Sequence, residues 1–336
     1  MSLVVRAPGL QSLLVDFGRP RSRSLGVPLG GAADRAAFIL GNALVGNPPD
    51  AVAVEVAFAG PTLEADHPTA CVIFGAVFQS AVNGTPVRAG VTLTLEPGDV
   101  LRVGGTSAGA RAYVCVAGGF DAPEVLGSRA ALEPLRTGDT LVCPPSRTEP
   151  RSLPFIWGRP SPEEPTPGPS LKGGEEGSGK SCSPLPSGRG AGGVGPSLRV
   201  LDGPQRDWFT DGTFFTRLYE VSAASNRMGV RLKGAPLARR AGELASEAVA
   251  PGAVQVTNDG LPVVLGVDGQ TIGGYPKVAH VIRADLDALA QLRPGDRVRF
   301  VRVTPDEAEA AAATRDAFLR EWLTRLRIAE RQPVLG

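Results

Sequence analysis

Lysine is nearly missing from this chain. Four residues, Lys172, Lys180, Lys233 and Lys277, stand against 31 arginines. Arginine therefore supplies the general surface charge, and a lysine in an ordered segment marks a place for a compact, strongly hydrated ammonium. Lys172 and Lys180 fall in low-complexity sequence, which leaves Lys233 and Lys277 for the folded body. The four cysteines, Cys71, Cys115, Cys143 and Cys182, are widely spaced and form no C-x-x-C pair. Such spacing argues against a zinc site, so no metal is expected and the thiols should be free and buried. No window approaches ~18 uninterrupted apolar residues, and the apolar start is too short for a signal peptide, so no membrane partner and a cytoplasmic location are expected. The net charge is only +1, with both signs interspersed, which excludes the basic stripe of a nucleic-acid binder. A small molecule or another protein is the partner left to expect.

Glycine and proline are plentiful, at 43 and 31 residues. They favour short strands and turns, and the expected fold class is mainly β with a few short helices. Residues 1–145 read as one unit. Ala36, Ala37, Leu40, Ala43 and Leu44 recur at helical spacing and stop at Gly46-Asn47-Pro48. From Val52 to Val142, short apolar runs alternate with turn signals, the pattern of a barrel or sandwich. Residues 146–197 are dominated by Pro, Gly, Ser and Glu and read as a disordered linker. Residues 198–303 return to β patterning, with one helical piece at "ADLDALAQL". The segment 304–336 opens on "TPDE", a capping box with Thr304 as cap and Glu307 reaching back, and carries the stripe Phe318, Leu319, Trp322, Leu323 and Leu326. That stripe should pack on the body of the protein.

A weak internal echo joins the halves. Leu-x-x-Gly-Asp occurs at Leu95–Asp99, Leu135–Asp139 and Leu292–Asp296, each time ahead of a strand-like run. By itself it is a turn signal. Its recurrence hints at two related β domains.

"GEEGSGKS", Gly174 to Ser181, fits the phosphate-loop expression. The mechanism behind that expression needs a strand before and a helix after, and Pro184 and Pro186 forbid the helix. It is read as a chance match. The second half offers a better constellation. Asn226 and Arg227 precede a Met-Gly pair and Lys233 follows. Glu247, Gln255, Gln270, Thr271, Gly273, Gly274, Tyr275 and Lys277 then gather within two or three strands. Neutral donors with one lysine, one arginine and one glutamate suit the binding and polarising of an amide or carboxylate. Lys277, Gln270, Tyr275 and Glu247 are the candidate catalytic residues: Lys277 as cation, Gln270 and Tyr275 as hydrogen-bond donors, Glu247 as general base. Asn226, Arg227, Gln255, Thr271, Gly273, Gly274 and Lys233 are candidates for substrate binding. His280 and His67 are expected to be structural and loop residues.

The stretches "SNRMGVRL", "SEAVAPGAVQVTNDGLPVVL", "QTIGGYPKVAHVI" and "LRPGDRVRF" resemble a carboxyltransferase-like family. That family includes the C subunit of the prokaryotic 5-oxoprolinase, allophanate hydrolase subunit 2 and the matching domain of urea carboxylase. "DFGRPRSRSLGVPLGGAADRAAFILGNALVGN" and "VAGGFDAPEVLGSRA" resemble it in the first half, although the passage from Ser128-Arg129 to Gly138-Asp139 is shorter than in that family. The resemblance, which leaves out the linker and the C-terminal helix, implies two cyclophilin-like β-barrel domains. It also implies ATP-dependent opening of 5-oxoproline to glutamate beside B-type and A-type 5-oxoprolinase partner proteins, with ATP used at the level of the complex. Two other activities stay open: carboxyl transfer as in urea carboxylase, with biotin carried on another protein because no Met-Lys-Met acceptor occurs here, and a catalytically silent module that antagonises a kinase inhibitor.

Overall fold

A computed structural model describes residues 1–153, 196–209 and 212–331. Its first half contains β1 (Ser2–Ala7), β2 (Gln11–Val15), helix α1 (Arg35–Leu44), β3 (Ala53–Ala57), β4 (Thr62–Ala65), β5 (Thr69–Gly75), β6 (Phe78–Val82), β7 (Thr85–Val87), β8 (Leu93–Leu95), β9 (Val100–Thr106), β10 (Arg111–Val116) and β11 (Thr140–Val142). These strands form two packed sheets, in the orders β11-β1-β4-β9-β6-β7 and β2-β3-β10-β5-β8. The core between them is built from alternate residues, Leu3 and Val5 facing Val54, Val56, Ile73 and Val114. Along β3, β5 and β10 every residue is buried. The cause is α1, whose Phe38, Leu40 and Leu44 cover the outer face of that sheet against Val72, Phe74, Tyr113 and Cys115. A sheet covered on both faces loses its alternation and reads as a continuous apolar run.

The second half contains β12 (Ser197–Asp202), β13 (Tyr219–Val221), β14 (Gly229–Lys233), β15 (Glu247–Ala248), β16 (Ala253–Val256), β17 (Pro262–Leu265), β18 (Ile272–Gly273), β19 (Lys277–Val281), α2 (Leu286–Ala290), β20 (Arg297–Arg302) and α3 (Pro305–Arg331). Seven strands close into a barrel in the order β12-β19-β16-β17-β14-β13-β20, while β15 and β18 pair as a separate ribbon. Stacked Phe214 and Phe300, with Tyr219 tilted beside them, belong to the barrel's core. The mainly β class with few helices is thus as expected, and one of the two expected barrels is present. The first half is two sheets rather than a closed barrel: among the described residues neither β7 nor β11 pairs across to the other sheet, and α1 relieves the five-stranded sheet of any need to curl on itself.

The repeated Leu-x-x-Gly-Asp turn has one physical explanation at all three sites. Gly98, Gly138 and Gly295 have φ of 89°, 91° and 84°, a region that favours glycine. The following aspartate then accepts the backbone N–H three residues back: Glu96 to Asp99 at 2.7 Å, Arg136 to Asp139 at 2.7 Å and Arg293 to Asp296 at 2.8 Å. Each turn launches a strand, β9, β11 or β20. The motif is local turn chemistry shared by both halves.

Residues 146–153 pack rather than run free. Thr92 N donates to Arg151 O at 2.8 Å, and Leu153 is buried beside α1. Residues 154–195 of the expected linker, with the phosphate-loop match at Gly174 to Ser181, lie outside the described residues, and its last residue, Ser197, begins β12. Cys71, Cys115 and Cys143 are buried free thiols, and Cys182 also lies outside. Among the described residues no group of His, Cys, Asp and Glu could hold a metal ion, and no helix is long and apolar enough to cross a membrane. The capping box of α3 forms as expected, Thr304 N donating to Glu307 Oε2 at 2.8 Å. Leu319 and Leu326 of α3 then join the cluster around α1, so the C-terminal helix returns to the first half.

The two halves and α3 meet at the N-terminus of α1. Asp34 caps it, accepting from Ala37 N at 2.9 Å, while Asp287 of α2 accepts from Arg35 N at 2.9 Å. Gln291 donates to Asp34 at 2.7 Å and Arg315 of α3 donates to Asp287 at 2.7 Å. Burial first, and repulsion from Asp287 second, raise the Asp34 carboxyl to about 7, and burial raises Asp287 as well. An acid whose folded pKa exceeds its unfolded value binds more protons when folded, so its contribution to stability falls as pH rises from near 4 to near 7. Asp34→Asn should therefore flatten the decline of the unfolding midpoint across pH 5 to 7.5. A slope equal to that of the native protein would show that this joint does not titrate there.

Candidate functional site

Lys277 begins β19, and Gln255 lies directly opposite it on β16. Opposed residues share a face of the sheet. Val254 and Val256, the neighbours of Gln255, are in the barrel core, so Gln255 and Lys277 occupy the outer face. That face is covered by the β15–β18 ribbon, in which Glu247 pairs with Gly273. Covered in this way, both polar side chains are almost fully buried, Gln255 at 2% and Lys277 at 6% exposure. A charged group so placed needs a partner. Glu247 provides it: its Oε1 accepts from Lys277 Nζ, and also from Gln205 Nε2 at 2.8 Å. The hydrogen bond from Lys277 first, and that from Gln205 second, hold the Glu247 carboxyl below its usual range, so it is ionised at neutral pH.

Gln205 sits in the turn after β12, and its Oε1 accepts from Lys277 N at 3.0 Å. One carboxamide thus ties the lysine backbone to the glutamate that pairs with the lysine side chain. Sequence reasoning does not single it out. The available signal is a lone glutamine after Gly203-Pro204, which on its own is assigned to a turn.

Gln270, exposed at the surface, donates through Nε2 to Gln255 Oε1 at 3.4 Å. The Gln255 Nε2 itself is buried and has no hydrogen-bond partner among the described residues. Both amide nitrogens converge on Gly273, where an added Cβ would lie 2.5 Å from each. Gly273→Ala should accordingly cost about 1–3 kcal/mol of stability by overpacking, read as a lower urea midpoint. An unchanged midpoint would mean that the amides move aside freely. Thr271 is buried and its carbonyl accepts from Val249 N at 3.0 Å, Gly274 lies beside Ser246, and Tyr275 stands 38% exposed at the rim.

Not every expected residue joins this cluster. Arg227 is buried in the junction between the halves. It binds Asp268 with Nε at 2.7 Å and Nη2 at 3.0 Å, gives Nη2 to Gly31 O at 2.8 Å, and pairs with Glu55 of β3 through Nη1. Burial alone would raise Glu55, but Arg227 and then Arg111 outweigh it and hold that carboxyl below its usual range. Tyr113 also donates to Glu55 at 2.8 Å. The Arg227 guanidinium is therefore committed to protein groups. Asn226 is exposed in the turn before β14, its Oδ1 accepting from Met228 N at 2.9 Å. Lys233, 59% exposed, faces Glu220 at 3.9 Å. Its strand β14 is three places around the barrel from β19, about 14 Å at ordinary strand spacing. His280 sits in β19 opposite Ala253, and His67 is buried against Asp66.

A cleft of about 700 Å³ between α3 and the barrel is lined by Leu201, His280, Leu286 and Pro305. Within it Arg283 donates to Asp316 at 2.7 Å. It lacks the converging donors of the Lys277 cluster.

A closed β barrel joined to a two-sheet β unit, with a buried lysine and glutamine on the barrel's outer face and a glutamate and two further glutamines around them, defines a class: a two-part β protein with a polar cluster beneath a two-stranded ribbon. The family described as "Carboxyltransferase domain, subdomain A and B" matches residues 25–302, and the chain belongs to it. The chain is 32% identical to the 5-oxoprolinase C subunit of Escherichia coli, over 97% of this chain and 99% of that protein. It is 29% identical to urea amidolyase of Lachancea kluyveri over 93% of its own length, which is 17% of that protein. The solved structure of the K. lactis urea amidolyase superposes with a TM-score of 0.79 at 26% identity, covering 96% of this chain and 20% of that one.

Proposed function

We propose that this chain is the C-type component of an ATP-dependent 5-oxoprolinase complex, which opens the lactam of 5-oxo-L-proline to L-glutamate. The observation that carries the proposal is the end-to-end match to a free-standing 5-oxoprolinase C subunit, 99% of whose length is covered, against 17% of a urea amidolyase. The site is compatible with that chemistry. Lys277 offers a buried cation to the substrate carboxylate or to a developing oxyanion, and Glu247 is an ionised acceptor beside it. Gln205, Gln255 and Gln270 add neutral carboxamides that can donate hydrogen bonds, and Tyr275, two residues before Lys277, is exposed enough to offer its hydroxyl. ATP is used at the level of the complex with A-type and B-type partner proteins, and biotin belongs only to the carboxyl-transfer alternative.

The test is co-expression with A-type and B-type 5-oxoprolinase proteins, followed by an assay of ATP-dependent glutamate release from 5-oxoproline. Release that requires this chain is the expected result. A stable complex that turns over urea but not 5-oxoproline would overturn the proposal in favour of carboxyl transfer. A stable complex inert towards both would make the chain a binding module.

A further inference from the structure

Two facts about Gln255 are hard to reconcile with a merely structural role. Its side chain is buried to 2% exposure, and among the described residues its Nε2 has no acceptor. An unpaired buried amide donor costs free energy that folding alone has no reason to accept. Its Oε1, by contrast, is served among the described residues by a long contact of 3.4 Å from Gln270, an exposed residue.

A primary carboxamide presents one N–H and one C=O side by side along the same edge. The complementary partner is another edge carrying C=O and N–H side by side. A lactam has such an edge, because its small ring forces the amide cis. Urea has one as well. An ordinary open-chain secondary amide is trans and places N–H and C=O on opposite sides. Gln270 Nε2 already stands where a ligand N–H would donate to Gln255 Oε1. The acceptor that Gln255 Nε2 lacks is where the ligand carbonyl would be.

We infer that Gln255 is the amide-reading residue of this site, pairing by two hydrogen bonds with the cis N–C=O edge of a lactam or urea once Gln270 swings away. Gly273 is the residue that lets both carboxamides lie here, since a Cβ there would crowd both amide nitrogens at 2.5 Å. Lys277, opposite Gln255 on the neighbouring strand, is placed to meet an anionic substituent of the same ligand. The inference rests on the assignment of this cluster as the substrate site, but not on which cis amide the complex consumes.

The test is calorimetric titration of the full chain with 5-oxoproline and with its N-methyl derivative, which keeps the ring, carbonyl and carboxylate but has lost the N–H. 5-Oxoproline should bind at least about tenfold more tightly, the worth of one hydrogen bond. Gln255→Met should weaken 5-oxoproline to the level of the N-methyl compound. Equal affinity of the two ligands for the native chain, no binding of either, or an undiminished preference in Gln255→Met would overturn the inference. The ligand pair decides the matter even if the variant fails to fold. 2-Pyrrolidinone, urea and open-chain N-methylacetamide separate this result from the proposed activity. Selective binding of the first two, with no glutamate release by the complex, would retain the amide reading and remove the 5-oxoprolinase assignment. Glutamate release with no selectivity would do the reverse.

Discussion

Lys277→Met is expected to lower ATP-dependent glutamate release by the assembled complex at least about a hundredfold, the usual cost of removing one group that stabilises developing charge. Methionine keeps the length and apolar stem of the side chain and deletes only the ammonium. The ammonium's partner, Glu247, is 42% exposed, so losing the pair leaves a carboxylate that water can solvate. Stability should therefore change by no more than about 1 kcal/mol while activity collapses. Equal losses of both would mark Lys277 as a structural strut. Full activity in the variant would remove it from the reaction.

The opposite signature is expected at Arg227. Arg227→Met should cost about 3–5 kcal/mol of stability, because it strands Glu55, 3% exposed, as a buried and undercompensated carboxylate. The remaining cation near Glu55 is Arg111, whose Nε lies 3.3 Å from the same oxygen. A double variant with Glu55→Gln should recover a large part of the loss, since it removes the stranded charge. Chemical unfolding of the two single variants and the double variant measures this directly. Additive losses would show that Arg227 and Glu55 act independently and that the clamp between the halves is held elsewhere.

The contrast between Lys277 and Arg227 shows how much the chain discloses on its own. The scarcity of lysine points to Lys277, and the structure places it in a buried cluster with Glu247. Sequence alone offers Arg227 as a candidate for substrate binding, because it shows an arginine before a Met-Gly pair and not the Glu55 that reaches it from the other half. Pairings of that kind depend on how two folding units dock. Gln205 escapes notice for a related reason: its role comes from the end of β12 lying against β19, a contact spanning 72 residues of sequence. Elements are legible where the signal is local. The stop of α1 at Gly46-Asn47-Pro48, the Thr304 capping box and the Gly-Asp turns are set by residues close in sequence. Closure of a sheet into a barrel is not local, and the first half, with α1 over one sheet, settles into two sheets instead.

A crystal structure of the chain with 5-oxoproline bound tests the central claim most directly. The lactam edge should lie against the Gln255 carboxamide, with Gln270 displaced and the ligand carboxylate turned towards Lys277. A ligand seated instead in the cleft beneath α3, or one at the ribbon that leaves the Gln255 Nε2 unpaired, would contradict it.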